Sequence, residues 1–563
     1  MNKLLTSRAA FALFIALAAA LLYSPFLGNV VLFDDHNFFK PAAIHELVKT
    51  PFNFEARTFA YFTLAEVQIL FGSVGANRIV NLGLHVFCGW ILFVLLEALL
   101  EQALSTSSKA TYTEERAWGQ PRVIAFLGAT WFVLNPVAVY TAGYLAQRTI
   151  VFATLFSLSS LWYYRRAFAE NRTGNIVAAA LFFSAAVFSK EHAVMVPAAT
   201  VMITPLYVRD LRASWKRIAL YLVLCAPAAI TVVLEMRHIV GNAYEPVFGA
   251  ILSQIHGIPL LDKPHGPWMV SSAFQTTFFF DYLGYWLVPN VHAMSIDMRV
   301  DFEHMWAAWW LFPKALLFFA VAPVGLYLLR RRGLAALFGC GLLYAWLLFF
   351  TELVSVRFQE PFVLYRSYLW APGYMLMLVA VLAALPRRMA VVVASVPVLA
   401  LFVGLSYERL GSLRSEFSVW NDAANKLVSQ TVPGADRIFY NRGLPNLRAK
   451  KYNEALADFS QAAALRPAAH YFYHRGVVYY WLNEFVKAEA DFNRAFALNS
   501  KDGAIQFARG LAFERRGCLD QAKDAYSKSF GLGFATAKLR LTILAKNREA
   551  GAAPVIEPAS CAA

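Results

Sequence analysis

The chain has 563 residues, 59% of them hydrophobic and only 15% charged, with a mean hydropathy of +0.48. Soluble domains run near about 25% charged, so most of this protein belongs in lipid. A net charge of +15 would suit nucleic acid in a soluble protein, but the placement of the basic residues excludes that reading. They cluster between apolar runs: Lys109, Arg116 and Arg122; Arg165, Arg166 and Arg172; Arg209, Arg212, Lys216 and Arg217; Arg330, Arg331 and Arg332; Arg387 and Arg388. That is the positive-inside pattern, which orients helices toward the cytoplasm.

The N-terminal stretch MNKLLTSRAAFALFIALAAALLYSPF resembles a signal peptide in layout. Its apolar run is longer than a usual signal core and lacks a clear cleavage site, so it is read as a retained first span. Runs long enough to cross about 30 Å of hydrocarbon then fall at 9–28, 79–100, 123–140, 149–165, 175–190, 193–208, 217–236, 314–329, 334–352, 366–385 and 389–406. With the N-terminus inside (Lys3, Arg8), about eleven crossings place every basic cluster in the cytoplasm and the C-terminus outside. The segment 274–289 is apolar but short and interrupted. As a simple span it would expose Arg330–Arg332 on the wrong side, so it is read as re-entrant or interfacial.

The outside then collects 29–78, 141–148, 190–192, 237–313 and 353–365, which carry the unusual polar residues. Two adjacent aspartates, Asp34 and Asp35, follow the first span in FDDHNFF. Carboxylates at a bilayer edge are costly and tend to be functional. One reading makes them a helix cap or a headgroup contact; the other makes one of them a general base or metal ligand. His36 and Asn37 add polar contacts beside them. Gln147 and Arg148 sit at the outer mouth of a span, where an arginine either snorkels or holds a phosphate through paired donors. Lys190, Glu191 and His192 form a very short outer turn, and Arg357, Glu360 and Arg366 lie among tyrosines. Outward cations that hold a phosphate, with a carboxylate that activates an acceptor, suit a lipid-phosphate donor. Asn81 and His85 share a helix face and read as an interhelical contact. No close histidine or cysteine metal spacing, phosphate-binding glycine loop or nucleophile elbow is present in the sequence, which argues against a nucleotide-using enzyme. Whether a divalent metal takes part is left open.

The domains follow from a change of composition: 1–410 is a multi-span membrane domain, 411–435 a connecting helix, 436–550 a soluble helical repeat domain and 551–563 a disordered tail. The repeat has a spacing of 33 and then 34 residues: Gly443, Gly476 and Gly510 in a first helix, and Ala455, Ala488 and Ala522 in a second. Tyr452 and Phe485 precede the alanine, and Phe459, Phe492 and Tyr526 follow it. This is the tetratricopeptide pattern, in which small residues let paired helices approach and aromatics fill the next layer. About three repeats and a capping helix over 535–550 are expected. Of the five cysteines, Cys88, Cys225 and Cys340 lie in apolar runs as inert thiols, while Cys518 and Cys561 lie outside the cytoplasm, where a disulfide between them is allowed.

These segments together resemble the transmembrane-and-tetratricopeptide O-mannosyltransferases of the GT-C superfamily, over about residues 20–530. The matching stretches are the Asp34–Asp35 pair, NRIVNLGLHVF with Asn81 and His85, the third and fourth spans with Tyr144, Gln147 and Arg148, FSKEHAVMVP with Lys190 and Glu191, and QEPFVLYRSYL with Glu360, Arg366 and Tyr368. Asn135 and Tyr140 stand where the family has a histidine and a glutamate, which favours a bacterial member using a sugar other than mannose. The resemblance implies an all-α, GT-C-like inner-membrane enzyme with its repeats in the periplasm. It would move a sugar from a polyprenyl phosphate to a hydroxyl of a periplasmic acceptor, a protein such as pilin held by the repeats. Asp34 or Asp35 would be the catalytic base; Arg148, Lys190 and Arg366 would hold the donor phosphate; His36, Gln147, Glu191, Glu360 and Tyr368 would support them. The alternatives are transfer to a glycan or lipid, and a non-enzymatic membrane scaffold whose repeats recruit envelope-assembly partners.

Overall fold

A computed structural model describes residues 7–49, 54–106, 121–208, 211–386 and 388–549. Lys3, Lys109, Arg116, Arg209, Arg387, Cys561 and the tail 551–563 lie outside the described residues. Among the described residues the fold is helical, with two isolated β-bridges, Ala243 with Val356 and Met298 with Phe362. The chain divides into two compact units, 1–415 and 416–563.

The first unit is a bundle of helices α1 (Arg8–Tyr23), α2 (Asp35–Phe38), α3 (Pro41–Lys49), α4 (Thr58–Phe71), α5 (Val74–Ser105), α6 (Pro121–Val133), α7 (Arg148–Ala169), α8 (Gly174–Ser189), α9 (Leu211–Met236), α10 (Gly266–Leu287), α11 (Leu311–Arg330), α12 (Leu334–Phe349), α13 (Ala371–Ala384) and α14 (Arg388–Ser412), with short helical turns between them. Among the described residues six helices are long and apolar enough to cross a membrane: Arg8–Phe26, Val74–Ser105, Ser214–Ile239, Leu311–Arg330, Leu334–Leu353 and Ala390–Ser412, at mean hydropathies of 1.8 to 2.2. A seventh is reached if the pair Pro121–Val133 and Pro136–Ala142, bent by 44°, counts as one span.

That is fewer than the eleven runs expected, and the residues say why. The run 193–208 is broken into a 3-10 turn Glu191–Met195 and two short helices, Val196–Val201 and Thr204–Tyr207, at Pro197 and Pro205. The run 366–385 starts as a 3-10 turn, Leu364–Leu369, and leaves α13 with 14 residues, with Pro372 in its first turn. Helix α8 has only 16 residues. Helix α7 is 22 residues long, but Thr154, Ser157, Ser159, Ser160, Arg165 and Arg166 lower its hydropathy. The segment 274–289 is not interrupted as expected: up to Leu287 it belongs to α10, a continuous helix of 22 residues, because nothing in 266–287 after Pro267 breaks the backbone ladder, and α10 is not among the helices apolar enough to cross.

Where helices need to touch, glycine permits it. A Cβ on Gly341 of α12 would sit 2.5 Å from the Gly373 carbonyl oxygen of α13, and one on Gly373 would meet the Gly341 carbonyl at the same distance. The two backbones therefore pack directly.

The second unit opens with a helix Glu416–Asn425, so α14 ends at Ser412 and no single helix spans 411–435. Three antiparallel pairs follow: Ala435–Arg448 with Tyr452–Leu465, Ala469–Trp481 with Phe485–Leu498, and Gly503–Arg515 with Leu519–Gly531; Thr536–Glu549 comes last. The small positions are explained by the rings opposite them. A Cβ on Gly443 would lie 2.7 Å from the Phe459 ring, one on Gly476 2.7 Å from Phe492, and one on Gly510 would collide with Tyr526. A second repeated device ties each pair: Arg442 Nη2 donates to Asp458 at 2.6 Å and Arg475 Nε to Asp491 at 2.7 Å. The third repeat has Ala525 in the acidic position, and Arg509 donates instead to Asn493 at 2.7 Å and Gln506 at 3.0 Å. The unit is a tetratricopeptide-like solenoid.

Candidate functional site

Charge in the first unit is segregated to the two ends of its helices. Helix α7, about 33 Å long at about 1.5 Å per residue, begins at Arg148 and ends beside Arg165 and Arg166. At the latter end Glu97 of α5 is fully buried and accepts from Arg8 at 2.8 Å and Arg122 at 2.6 Å. The opposite end gathers the loops that the sequence reading placed outside.

The aspartate pair splits there. Asp35 is 1% exposed: its Oδ1 accepts from the Ala146 amide at 2.7 Å and its Oδ2 from the Leu32 amide at 3.2 Å. Burial pushes its carboxyl up to about 7, against the pull of those amides and of Arg78. Asp34 is exposed, and its own amide donates to the Tyr144 hydroxyl at 3.3 Å. Between Leu32 and Asp34, Phe33 adopts a left-handed backbone with φ of 41°, a conformation L-residues hold only under constraint. The result is one carboxylate tied down and one presented. Asp34 lies within electrostatic reach of three phenols, Tyr61, Tyr144 and Tyr365, and the Tyr144 and Tyr365 rings meet edge-on at 5.9 Å.

Behind the phenols lies a charged network. Arg57, which opens α4 with φ of 72°, sends Nε to Glu191 at 2.9 Å and its amide to the Phe188 carbonyl at 2.6 Å. Glu191 also faces His192 Nδ1 at 3.1 Å and Lys190 Nζ at 3.7 Å. Burial opposes its charge, but Lys190 and Arg57 hold its carboxyl well below the usual range. His192 Nε2 reaches Glu352 at 3.2 Å. Glu352, fully buried, takes Arg357 at 3.0 Å and Arg366 at 3.2 Å. Arg366 also reaches the Glu360 carboxylate at 3.5 Å, and its guanidinium lies 5.9 Å from the Tyr365 ring. Arg357 donates to the Tyr244 hydroxyl at 2.8 Å. The loop carrying Arg357 and Glu360 is fixed by Glu245, whose carboxylate accepts three successive amides, from Phe358 at 3.2 Å, Gln359 at 2.7 Å and Glu360 at 3.1 Å. Tyr61 beside Asp34 also faces Arg57 and Glu191, which joins the aspartate loop to this network.

Two expected site residues are engaged within the protein. Arg148 is buried, with Nε on Asn81 at 2.6 Å, Nη2 on the Asn77 side chain at 2.8 Å and carbonyl at 2.9 Å, and Nη1 on Thr63 at 3.3 Å. A guanidinium so engaged locks α7 to α5 and leaves no fork for a phosphate. Tyr368 is also buried, and its hydroxyl meets His85 Nδ1 at 2.7 Å while His85 Nε2 donates to the Val133 carbonyl at 3.0 Å. Gln147 is nearly buried with its Oε1 unpartnered, and His36 is exposed beside Asp35. Lys190, Glu191, Glu360 and Arg366 converge on the network. Sequence reasoning missed Arg57, Tyr244, Glu245 and Glu352, which stand in no motif, and passed over Arg78 and Tyr365 inside NRIVNLGLHVF and QEPFVLYRSYL. Among the described residues no group of three or more histidine, cysteine, aspartate or glutamate side chains is placed to hold a metal ion.

No family model matches the chain, and no curated protein matches it. Among solved structures it matches a chain from the crystal structure of an APC/C hetero-tetramer, Cut9–Hcn1, at 12% identity, covering 89% of this chain and 95% of that one with a TM-score of 0.22.

Proposed function

We propose that the chain is a membrane glycosyltransferase of the GT-C type, transferring a sugar from a polyprenyl phosphate to a hydroxyl of an acceptor on the non-cytoplasmic side. The observation that carries this reading is the exposed carboxylate of Asp34 facing phenols, with Lys190 and Arg366 in the charged network behind them.

In this mechanism Asp34 accepts the proton of the acceptor hydroxyl. The oxygen attacks the anomeric carbon, and the bond from that carbon to the phosphate oxygen breaks with inversion. The electron pair leaves with the lipid phosphate. Lys190 and Arg366, held in place by Glu191 and Glu352, meet the charge that develops there. Asp35 and Arg148 serve the geometry of the site rather than its chemistry. A protein acceptor would be held by the solenoid's surface.

The test uses the purified full chain in detergent, a polyprenyl-phosphate sugar and a periplasmic extract, with release of polyprenyl phosphate as the readout. Release that depends on the extract and disappears in Asp34→Asn supports the reading. Equal release by wild type and Asp34→Asn rejects it.

A further inference from the structure

The loop between α1 and α2 is irregular over Gly28–Leu32, with the Asn29 amide on the Phe26 carbonyl at 3.1 Å and the Leu32 carbonyl accepting from the Asp35 amide at 2.8 Å, yet it must hold Asp34 in one place. Two contacts hold it from across the bundle: Asn29 Nδ2 donates to the Leu410 carbonyl at 3.0 Å, and Arg78 reaches it from the first turns of α5. Arg78 is 6% exposed, and its two terminal nitrogens diverge onto two carbonyls of this loop, Nη1 to Leu27 at 3.0 Å and Nη2 to Val30 at 2.8 Å. A planar guanidinium spans two carbonyls three residues apart from two separate nitrogens, with both bonds charge-assisted and their directions fixed. The same guanidinium faces the Asp35 carboxylate electrostatically. Asp35 in turn anchors the end of the loop to the Leu32 and Ala146 amides. Between these two anchors the chain must turn sharply, and it does so at Phe33 in the left-handed region. Arg78 also lines a small cavity with Tyr23, Phe26 and Asn29, about the size of one water, into which neither its Nε nor the Tyr23 hydroxyl finds a protein partner.

We propose that Arg78 is a positioning residue for the aspartate loop: its bridge across Leu27 and Val30, with Asp35 as the second anchor, forces the Phe33 turn that presents Asp34. This rests on the reading of Asp34 as the base, but it can fail or stand without it. Arg78 touches no substrate; it acts through the loop. Lysine cannot replace it, because an ammonium keeps the charge opposite Asp35 but not the planar fork.

The experiment labels the full chain in detergent with a water-soluble carbodiimide and a charged amine nucleophile, which together modify solvent-accessible carboxyls, and reads Asp34, Asp35 and Glu97 separately by peptide mass spectrometry. In wild type Asp34 labels while Asp35 and the buried Glu97 do not. In Arg78→Lys and Arg78→Ala, Asp35 labelling rises about tenfold or more, as expected when two charge-assisted bonds are lost, and Glu97 stays protected. Arg78→Lys also lowers kcat for transfer with KM for the donor unchanged, since Lys190 and Arg366 are untouched. Continued protection of Asp35 in both variants overturns the proposal, and so does a parallel rise at Glu97, which reports general loosening. If Asp34→Asn leaves transfer intact while Asp35 becomes exposed in the Arg78 variants, the transferase reading falls and the clamp stands. If Asp34→Asn abolishes transfer while Asp35 stays protected, the clamp falls alone.

Discussion

Asp34 and Asp35 are adjacent in the chain and opposite in circumstance: the Asp35 carboxylate is buried on the Ala146 and Leu32 amides, while Asp34 is exposed and its backbone amide meets the Tyr144 hydroxyl. A double substitution would blur two different roles. Asp34→Asn lowers the rate of transfer about 10²- to 10⁴-fold, the usual contribution of a general base, with an unchanged unfolding midpoint. Asp35→Asn keeps a carbonyl for one amide but turns an NH₂ toward the other donor, so it lowers the unfolding midpoint at pH 5. Steady-state kinetics and thermal unfolding in detergent, run side by side, separate them.

Asp35 also gives a pH signature. Its folded-state value of about 7 lies above the ordinary 3.8, so between those values the folded chain keeps a proton that the unfolded chain has lost. Stability from this group is therefore complete below about 4, declines as pH rises to about 7 and is level above that. The unfolding midpoint of wild type minus that of Asp35→Asn, followed from pH 4 to 8, falls across that window. A flat difference contradicts the burial described here.

Glu352 holds together two arginines that are themselves buried. Glu352→Gln leaves Arg357 and Arg366 without their shared carboxylate. Removing one side of a buried ion cluster costs about 3–5 kcal/mol. Thermal unfolding shows that loss, and donor binding weakens with it.

Arg57 and Glu191 join α4 to the turn after α8. The single variants Arg57→Ala and Glu191→Ala, with the double variant, should give a coupling energy in the range of about 0.5–3 kcal/mol. Additive effects would mean that the aspartate side and the lysine–glutamate turn are not tied through this pair.

In the solenoid, Arg442 and Arg475 have carboxylate partners and Arg509 does not. Asp458→Ala and Asp491→Ala each destabilise by about 1–3 kcal/mol, since an arginine loses its charged partner. Ala525→Asp restores the missing acid and raises resistance of the full chain to limited proteolysis within 503–531.

The sequence made some of this legible and hid the rest for physical reasons. The repeat could be read because Gly443, Gly476 and Gly510 each face a ring at a constant offset, so the packing constraint recurs locally. The polar loops that meet at one end of the bundle could be read because lipid forces charge to the helix ends. The number of spans could not: Pro197, Pro205 and Pro372 break apolar runs that hydropathy counts as continuous. Arg148 could not be assigned either, because its partners Asn77 and Asn81 are about 70 positions away and give no local sign that its donors are taken. Distance also hid Arg78 and Glu245, whose partners lie about 50 and 110 positions away, whereas Glu352 sits close in sequence to Arg357 and Arg366 and was passed over because it falls at the end of an apolar run.

The central claim is tested most directly by the glycans of periplasmic proteins and envelope polymers in cells carrying wild type, a deletion of the chain, or Asp34→Asn at equal membrane abundance. The account predicts one glycan that is lost on deletion and equally lost in Asp34→Asn. A glycan lost on deletion but fully retained in Asp34→Asn would contradict it.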